Sequence, residues 1–357
     1  MRTEIDGDQL KDYAKNVFGT LSGAMTSALI YLGDQLELFK AMAGAGPLTS
    51  EELAQRSGLH ERWIREWLCG LGAAEILEYS GEGRFWLTPE GEAVLVDDNH
   101  PANGAGFFSH LPQQMAVLGK LPDAFRTGLG LPYDAFGPGG AQGIERGLAP
   151  FFRALLVPMA LPRVGDVVAR LEEGIRVADV GCGGGVALIE MAKAYPKSDY
   201  HGYEISEHAL SRAAENAAEA GVQNVTFHDV AVDPLPQDAS FDFVTTFDCL
   251  HDMTDPQSIM EQIRRAIRAD GIWLIADIKA RSSYEENVEK NPMAAMMYGT
   301  SVLVCMSSAL SEPDGLGLGT LGFSEDVARE MTARAGFSQF ELLDLHHPVN
   351  AFYVVRC

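Results

Sequence analysis

Glu204, Asp229 and Asp248 each follow a segment rich in apolar and aromatic residues, and Asp179, within Val177-Ala178-Asp179-Val180, stands two residues before the first glycine of Gly181-Cys182-Gly183-Gly184-Gly185. Val177 to Val180, the glycines and then Val186 to Tyr195 read as strand, tight turn and helix, the unit that brings a nucleotide against a helix N-terminus. The spacing is Asp-x-Gly-x-Gly-x-Gly rather than the Gly-x-Gly-x-x-Gly of pyrophosphate-binding loops, which disfavours a nicotinamide cofactor. A carboxylate beside the loop repels phosphate and suits a cationic amino acid; Asp179 either accepts from an ammonium group or orients the loop. Gly181, Gly183 and Gly185 let the backbone come close to a ligand. Glu204 stands 19 residues beyond Gly185, where a carboxylate can accept from both hydroxyls of a ribose. Asp229 then serves an adenine amino group, with Val230 packed on the ring. Ile205, Phe247 and Asp248 complete the expected wall of a site for a nucleoside that carries an amino acid.

Such a site needs strands that end side by side, and the predicted strands Asp199 to Tyr203, Val225 to His228, Phe241 to Phe247 and Ile272 to Ala276 provide them. Upstream, Thr49-Ser50 before Glu51-Glu52 has the form of a helix cap, and Gly58 closes that helix. Trp63, Ile64, Trp67, Leu68 and Leu71 form one helical stripe. Ile76 to Tyr79 and Arg84 to Leu87 flank the turn Ser80 to Gly83, so two helices and a hairpin make a winged helix-turn-helix. Ahead of it, Val17, Leu21, Met25, Leu29, Leu32, Leu36 and Phe39 recur at helical spacing, a stripe that suits either a second subunit or the chain's own core.

The chain is therefore divided into a helical and winged-helix domain over 1–98, a connector over 99–164 and a nucleoside-binding domain over 165–357. The connector is rich in Gly and Pro, which predicts short helices broken by turns. Its Phe107, Phe108, Tyr133, Phe136, Phe151 and Phe152 supply either core or the lining of a pocket for a flat, apolar ligand.

Composition narrows the partners. The 357 residues carry 27 Lys and Arg against 50 Asp and Glu, a formal charge of -23, which opposes phosphate backbones. The first hundred residues alone hold eight basic against seventeen acidic side chains, the wrong sign for docking on a duplex. The five cysteines are scattered, with no Cys-x-x-Cys pair, so neither a disulfide framework nor a thiolate metal site is expected. No apolar run is long enough for a membrane span, and the acidic start, MRTEIDGDQLKDYAKNVF, is unlike an export signal and predicts a cytoplasmic protein.

On the ordered acids and the glycine loop, residues 165–357 resemble a class I S-adenosylmethionine-dependent methyltransferase. The whole chain is similar to a mycobacterial group that carries an N-terminal winged helix, and in plan to small-molecule O-methyltransferases. The resemblance implies an α/β Rossmann-like sheet of seven strands behind a mostly α winged-helix domain, S-adenosyl-L-methionine as methyl donor, and a homodimer built through the N-terminal domain. It also gives Asp248-Cys249-Leu250-His251-Asp252 a meaning, since related enzymes place their proton-accepting histidine in a Leu-His-Asp segment here. His251 is then the base, with Asp252 or Asp277 orienting it. The family's tryptophan after that aspartate is Met253 in this chain, which leaves the acceptor class open. Cys249, His251, His346 and His347 lack zinc spacing, so no metal is expected. Met293, Met296, Met297, Tyr298 and Met306 fall in an expected helical insertion that serves either as core filling or, by the resemblance, as a substrate cover, and Gly315 to Gly319 reads as a mobile turn. The expected acceptor is an apolar or aromatic small molecule, with oxygen as the favoured atom. The competing function is a winged-helix transcription regulator that senses S-adenosylmethionine without chemistry.

Overall fold

A computed structural model describes residues 4–357, which separate after Leu111 into two compact units. The first unit opens with a helix, Gly7–Gln35, whose first amides at Asp8 and Gln9 are capped by the Asp6 carboxylate. Only its last turns are buried: Ile30 and Gly33 pack into the unit's core, and a Cβ on Gly33 would strike the rings of Phe39 and Trp67. The helix Ser50–Ser57 has the expected capping box, with Thr49 and Glu52 each bonding the other's amide, and Gly58 at φ 71° ends it.

Helix Glu61–Ala73 buries Ile64, Trp67, Leu68 and Leu71. Trp63 departs from the expected stripe and is 79% exposed, because the buried set already occupies the i, i+3, i+4, i+7 face and Trp63 lies one position to its side. The wing is the antiparallel pair β1 (Glu78–Gly81) and β2 (Arg84–Trp86), flanked by buried Leu77 and Leu87.

In the second unit, the sequence predicts helices interrupted at the prolines, but Gly137–Phe151 runs without a break into Phe152–Ala160, with Pro150 and Pro158 inside. The second stretch winds as a π-helix, and its wider turn accommodates the ring and missing N–H of Pro158. Phe152, Leu156 and Ala160 from this stretch join the core on one face of the sheet.

That sheet has seven strands: β3 (Arg176–Val180), β4 (Asp199–Glu204), β5 (Val225–Asp229), β6 (Phe241–Phe247), β7 (Ile267–Ile278), β8 (Gln339–Leu343) and β9 (Asn350–Arg356). Their order is β5-β4-β3-β6-β7-β9-β8, with β9 antiparallel to both neighbours and the other pairings parallel. Every residue of β6 is buried, as a strand covered on both faces requires. Leu171, Val177, Leu188, Met191, Phe243 and Leu274 fill one face; Val244, Met260, Ile263, Trp273, Phe323 and Met331 fill the other. The chain leaves β3 toward β4 and β5 and later returns to β6 on its other side. The strand order thus reverses at β3, where open α/β sheets form their ligand crevice. Among the described residues no helix is long and apolar enough to cross a membrane.

Candidate active site

The acids named from the sequence do stand at adjacent strand tips. Glu204 and Asp229 are direct partners in the β4/β5 register, and Asp179 lies opposite Gly202 of β4 and Thr245 of β6. Asp179 is buried and accepts from the Thr245 hydroxyl at 2.7 Å. Burial pushes its carboxyl up to about 7, helped by the nearby Glu204 and opposed by Thr245.

The glycine loop turns on left-handed residues: Gly181, Gly183 and Gly185 have φ of 74°, 53° and 72°. Gly185 precedes the helix Val186–Ala194, and a Cβ on it would meet the Phe227 ring at 2.6 Å. The amides of Gly181 and Cys182 donate to the carbonyl of Tyr203, which ties the loop to β4. Glu204 completes this tie, accepting from Gly183 N at 2.8 Å, Ile205 N at 2.8 Å and Ser206 N at 3.0 Å. Burial raises its pKa against those three donors. Asp229 accepts from Ala231 N and so braces its own turn, and Val230 packs against the core. Ile205 is exposed.

Next to this crevice, Phe247 ends β6 in contact with the rings of Phe151 and Phe152. The connector aromatics Phe136 and Phe152 are buried in apolar clusters, so both pack as core. Asp248 follows Phe247 at φ 49°, a conformation uncommon outside glycine, and is fixed by its amide to Ala276 O and by Asn350 to its carboxylate. Burial and the neighbouring Asp277 push it up to about 7.

His251 lies in the short turn Leu250–Asp252 and is only 3% exposed. Its Nδ1 is 2.5 Å from Asp277 Oδ1, and its Nε2 is 3.0 Å from Asp252 Oδ1. A carboxylate oxygen thus lies within 3.0 Å of each ring nitrogen. Burial opposes the imidazolium charge, but the two carboxylates outweigh it and hold the pKa well above the ordinary histidine value. Asp277 is itself set by the amide of Ile278. Gly315 to Gly319, expected to be a free turn, is bonded to the same segment: Leu316 N donates to Thr254 O and Gly319 N to His251 O.

Apart from Tyr133, which stands among the connector aromatics, the site's further neighbours carry no signal in the sequence. Cys305 offers a sulfur that lies, with one atom each of His251 and Asp252, within a 4.8 Å group. Tyr133 is held well above its ordinary pKa by burial and by the nearby charges of Glu204, Asp252 and Cys305. Asp134 accepts from the Ser206 hydroxyl. Nothing in spacing or motif links these positions, which are far apart in the chain.

Residues 171–336 match the family described as "Methyltransferase domain", and residues 24–97 match the "Rv2258c-like winged HTH domain". A ubiquinone biosynthesis O-methyltransferase of Paracidovorax citrulli is 34% identical over 104 residues, which are 29% of this chain and 42% of that protein. The match thus spans less than half the length of this curated relative. Among solved structures, a Nostoc punctiforme protein assigned as an O-methyltransferase aligns with a TM-score of 0.70 at 20% identity, over 95% of this chain and 98% of its own. Human N-acetylserotonin methyltransferase, solved in complex with S-adenosylmethionine, aligns with a TM-score of 0.68 at 18% identity, over 100% and 99%. Residues 171–336 thus match a methyltransferase domain and residues 24–97 an Rv2258c-like winged helix-turn-helix domain, and the chain shares the fold of these two solved structures.

Proposed function

We propose that the protein transfers the methyl group of S-adenosylmethionine to an oxygen of a small, apolar or aromatic acceptor, with His251 taking the acceptor's proton. The observation that carries this reading is the placement of Asp179, Glu204 and Asp229 at neighbouring strand tips beside the His251–Asp277 pair. The residues fit the donor: a buried carboxylate for its ammonium group, a second for its ribose, a third beside an apolar residue for its base. Bound there, the donor supplies a methyl group already activated on a sulfonium, so the chain's part is alignment and proton removal.

Asp277 holds His251 through Nδ1, and Nε2 lies 3.0 Å from Asp252 Oδ1. For His251 to accept a proton, the imidazolium first loses its own, and Nε2 exchanges Asp252 for the acceptor hydroxyl. Asp277 then steadies the charge that returns to the ring. The direct test is transfer of labelled methyl from S-adenosylmethionine to a panel of phenols, carboxylic acids, amines and thiols. Labelling of phenols or other hydroxyl compounds supports the reading, and labelling confined to amines or thiols overturns the choice of oxygen.

Asp179 gives the site a pH dependence. Its carboxyl titrates near 7 in the free chain, and only the ionised form attracts an ammonium group. Affinity for the donor therefore falls as pH drops through neutrality, approaching about tenfold between pH 8 and pH 6. Calorimetry across that range checks the slope, which Asp179→Asn should flatten.

The N-terminal unit serves association in this reading. Leu10, Tyr13, Val17, Phe18, Leu21 and Met25 are all exposed on the helix Gly7–Gln35, an apolar face that a second copy would cover. Leu21→Lys with Met25→Glu should turn a dimer into a monomer in light scattering; an unchanged mass would refute the contact. A regulator that reads DNA is disfavoured by the helix Glu61–Ala73, where Arg62 and Arg65 are already paired to Glu66 and Glu61 at 2.6 and 2.7 Å.

A further inference from the structure

Gly184 differs from the other glycines of its loop. Gly181, Gly183 and Gly185 have positive φ, whereas Gly184 does not, so backbone conformation does not explain why glycine stands there. Space does. A Cβ at Gly184 would lie 2.8 Å from Oε2 of Glu145, on the helix Gly137–Phe151. That carboxylate cannot simply swing aside, because Arg212 Nε and Nη2 each donate to one of its oxygens at 3.0 Å. This is the planar two-point geometry that fixes both partners.

The contacts close into a ring. Arg212 Nη2 also donates to Asn216 Oδ1 at 2.9 Å, and Asn216 Nδ2 donates to the carbonyl of Gly184 at 2.9 Å. Arg212 and Asn216 lie one turn apart on the helix Glu207–Ala220, which follows β4 and Glu204. Glu145 is mostly buried and Arg212 three-quarters buried, so the pair is shielded from the screening that weakens exposed ion pairs. At its other end the same connector segment is tied by Asp134, which accepts from Ser206, two residues after Glu204. The ring thus fixes the plane of the Gly184 peptide from one side while Glu204 fixes the Gly183 amide from the other.

We propose that Glu145, Arg212 and Asn216 are positioning residues for the methyl donor: they hold the glycine loop in its binding geometry, and opening of this clasp governs exchange of donor and demethylated product. The inference rests on the donor reading given above. None of the three is placed against the donor itself, so the effect is on the loop's readiness to bind rather than on a contact.

The test measures affinity and dissociation rate of S-adenosylhomocysteine for the full chain and for Arg212→Met, Asn216→Ala and Glu145→Gln. Arg212→Met is expected to weaken binding by about tenfold, mostly through faster dissociation. Asn216→Ala acts in the same direction, and the double variant loses less than the sum of the two because both break one ring. Glu145→Gln keeps an acceptor for Arg212 and falls between wild type and Arg212→Met. In turnover, KM for the donor rises more than kcat falls. If Arg212→Met does not fold, Asn216→Ala, which deletes only the helix-to-loop link, carries the same test.

The proposal is overturned if folded variants bind and release the product within about twofold of wild type. It is also overturned if the effects of Arg212→Met and Asn216→Ala simply add. Wild-type chain that ignores the compound altogether would instead refute the donor reading on which the proposal rests.

Discussion

Replacing His251 by alanine should lower methyl transfer by about 100- to 10,000-fold, the range over which a positioned general base contributes. Donor binding should change little, since the acids given to the donor lie on β3, β4 and β5, whereas His251 follows β6. The variant separates the roles: loss of turnover with intact donor affinity supports the base, and unchanged turnover on an identified acceptor removes it. A pH profile sharpens the result. Two carboxylates hold His251 above its usual pKa, so more of the enzyme carries an imidazolium at neutral pH than an unperturbed histidine would. The acceptor kcat/KM should therefore keep rising on the alkaline side of neutrality. Asp252→Asn removes one of the two charges and should move that rise to lower pH; a profile that stays in place would show that Asp252 does not act on the ring.

Replacing Glu204 by alanine should weaken donor binding by about 10- to 100-fold, equivalent to about 1.5 to 3 kcal/mol for charge-assisted hydrogen bonds. The side chain does two things at once. Besides addressing the ribose, it accepts from Gly183 N, Ile205 N and Ser206 N, so its loss also frees the glycine loop. Glu204→Gln keeps one acceptor oxygen and should be the milder change. Equal affinity for wild type and both variants would take the ribose away from Glu204.

Much of the candidate site is legible in the sequence. Strand tips are marked by the change from an apolar run to an acid or a glycine, and a parallel sheet must bring such tips together, so Asp179, Glu204, Asp229 and Asp248 could be named with their neighbours. His251 needed a resemblance as well, because a histidine after a strand has many ordinary uses. The spacing could not reveal that both its nitrogens are occupied, since Asp252 is next to it in the chain but Asp277 arrives from another strand. The same holds for Glu145, Arg212 and Asn216, whose partnership depends on how the connector helix crosses the helix after β4. Local rules misjudged two elements. The apolar pattern assigns Trp63 to a stripe whose face is already filled, and the prolines predict breaks at Pro150 and Pro158, where the chain stays helical, α at Pro150 and widened to a π-helix at Pro158.

The claim beneath all of this is that three neighbouring carboxylates grip a methionyl nucleoside. Titration calorimetry of S-adenosylmethionine and S-adenosylhomocysteine into the purified chain tests it most directly. One molecule of either compound should bind per chain with a dissociation constant on the order of micromolar, weakened by Asp179→Asn and Glu204→Ala. Absence of heat at millimolar ligand, or binding that ignores both substitutions, would contradict the account.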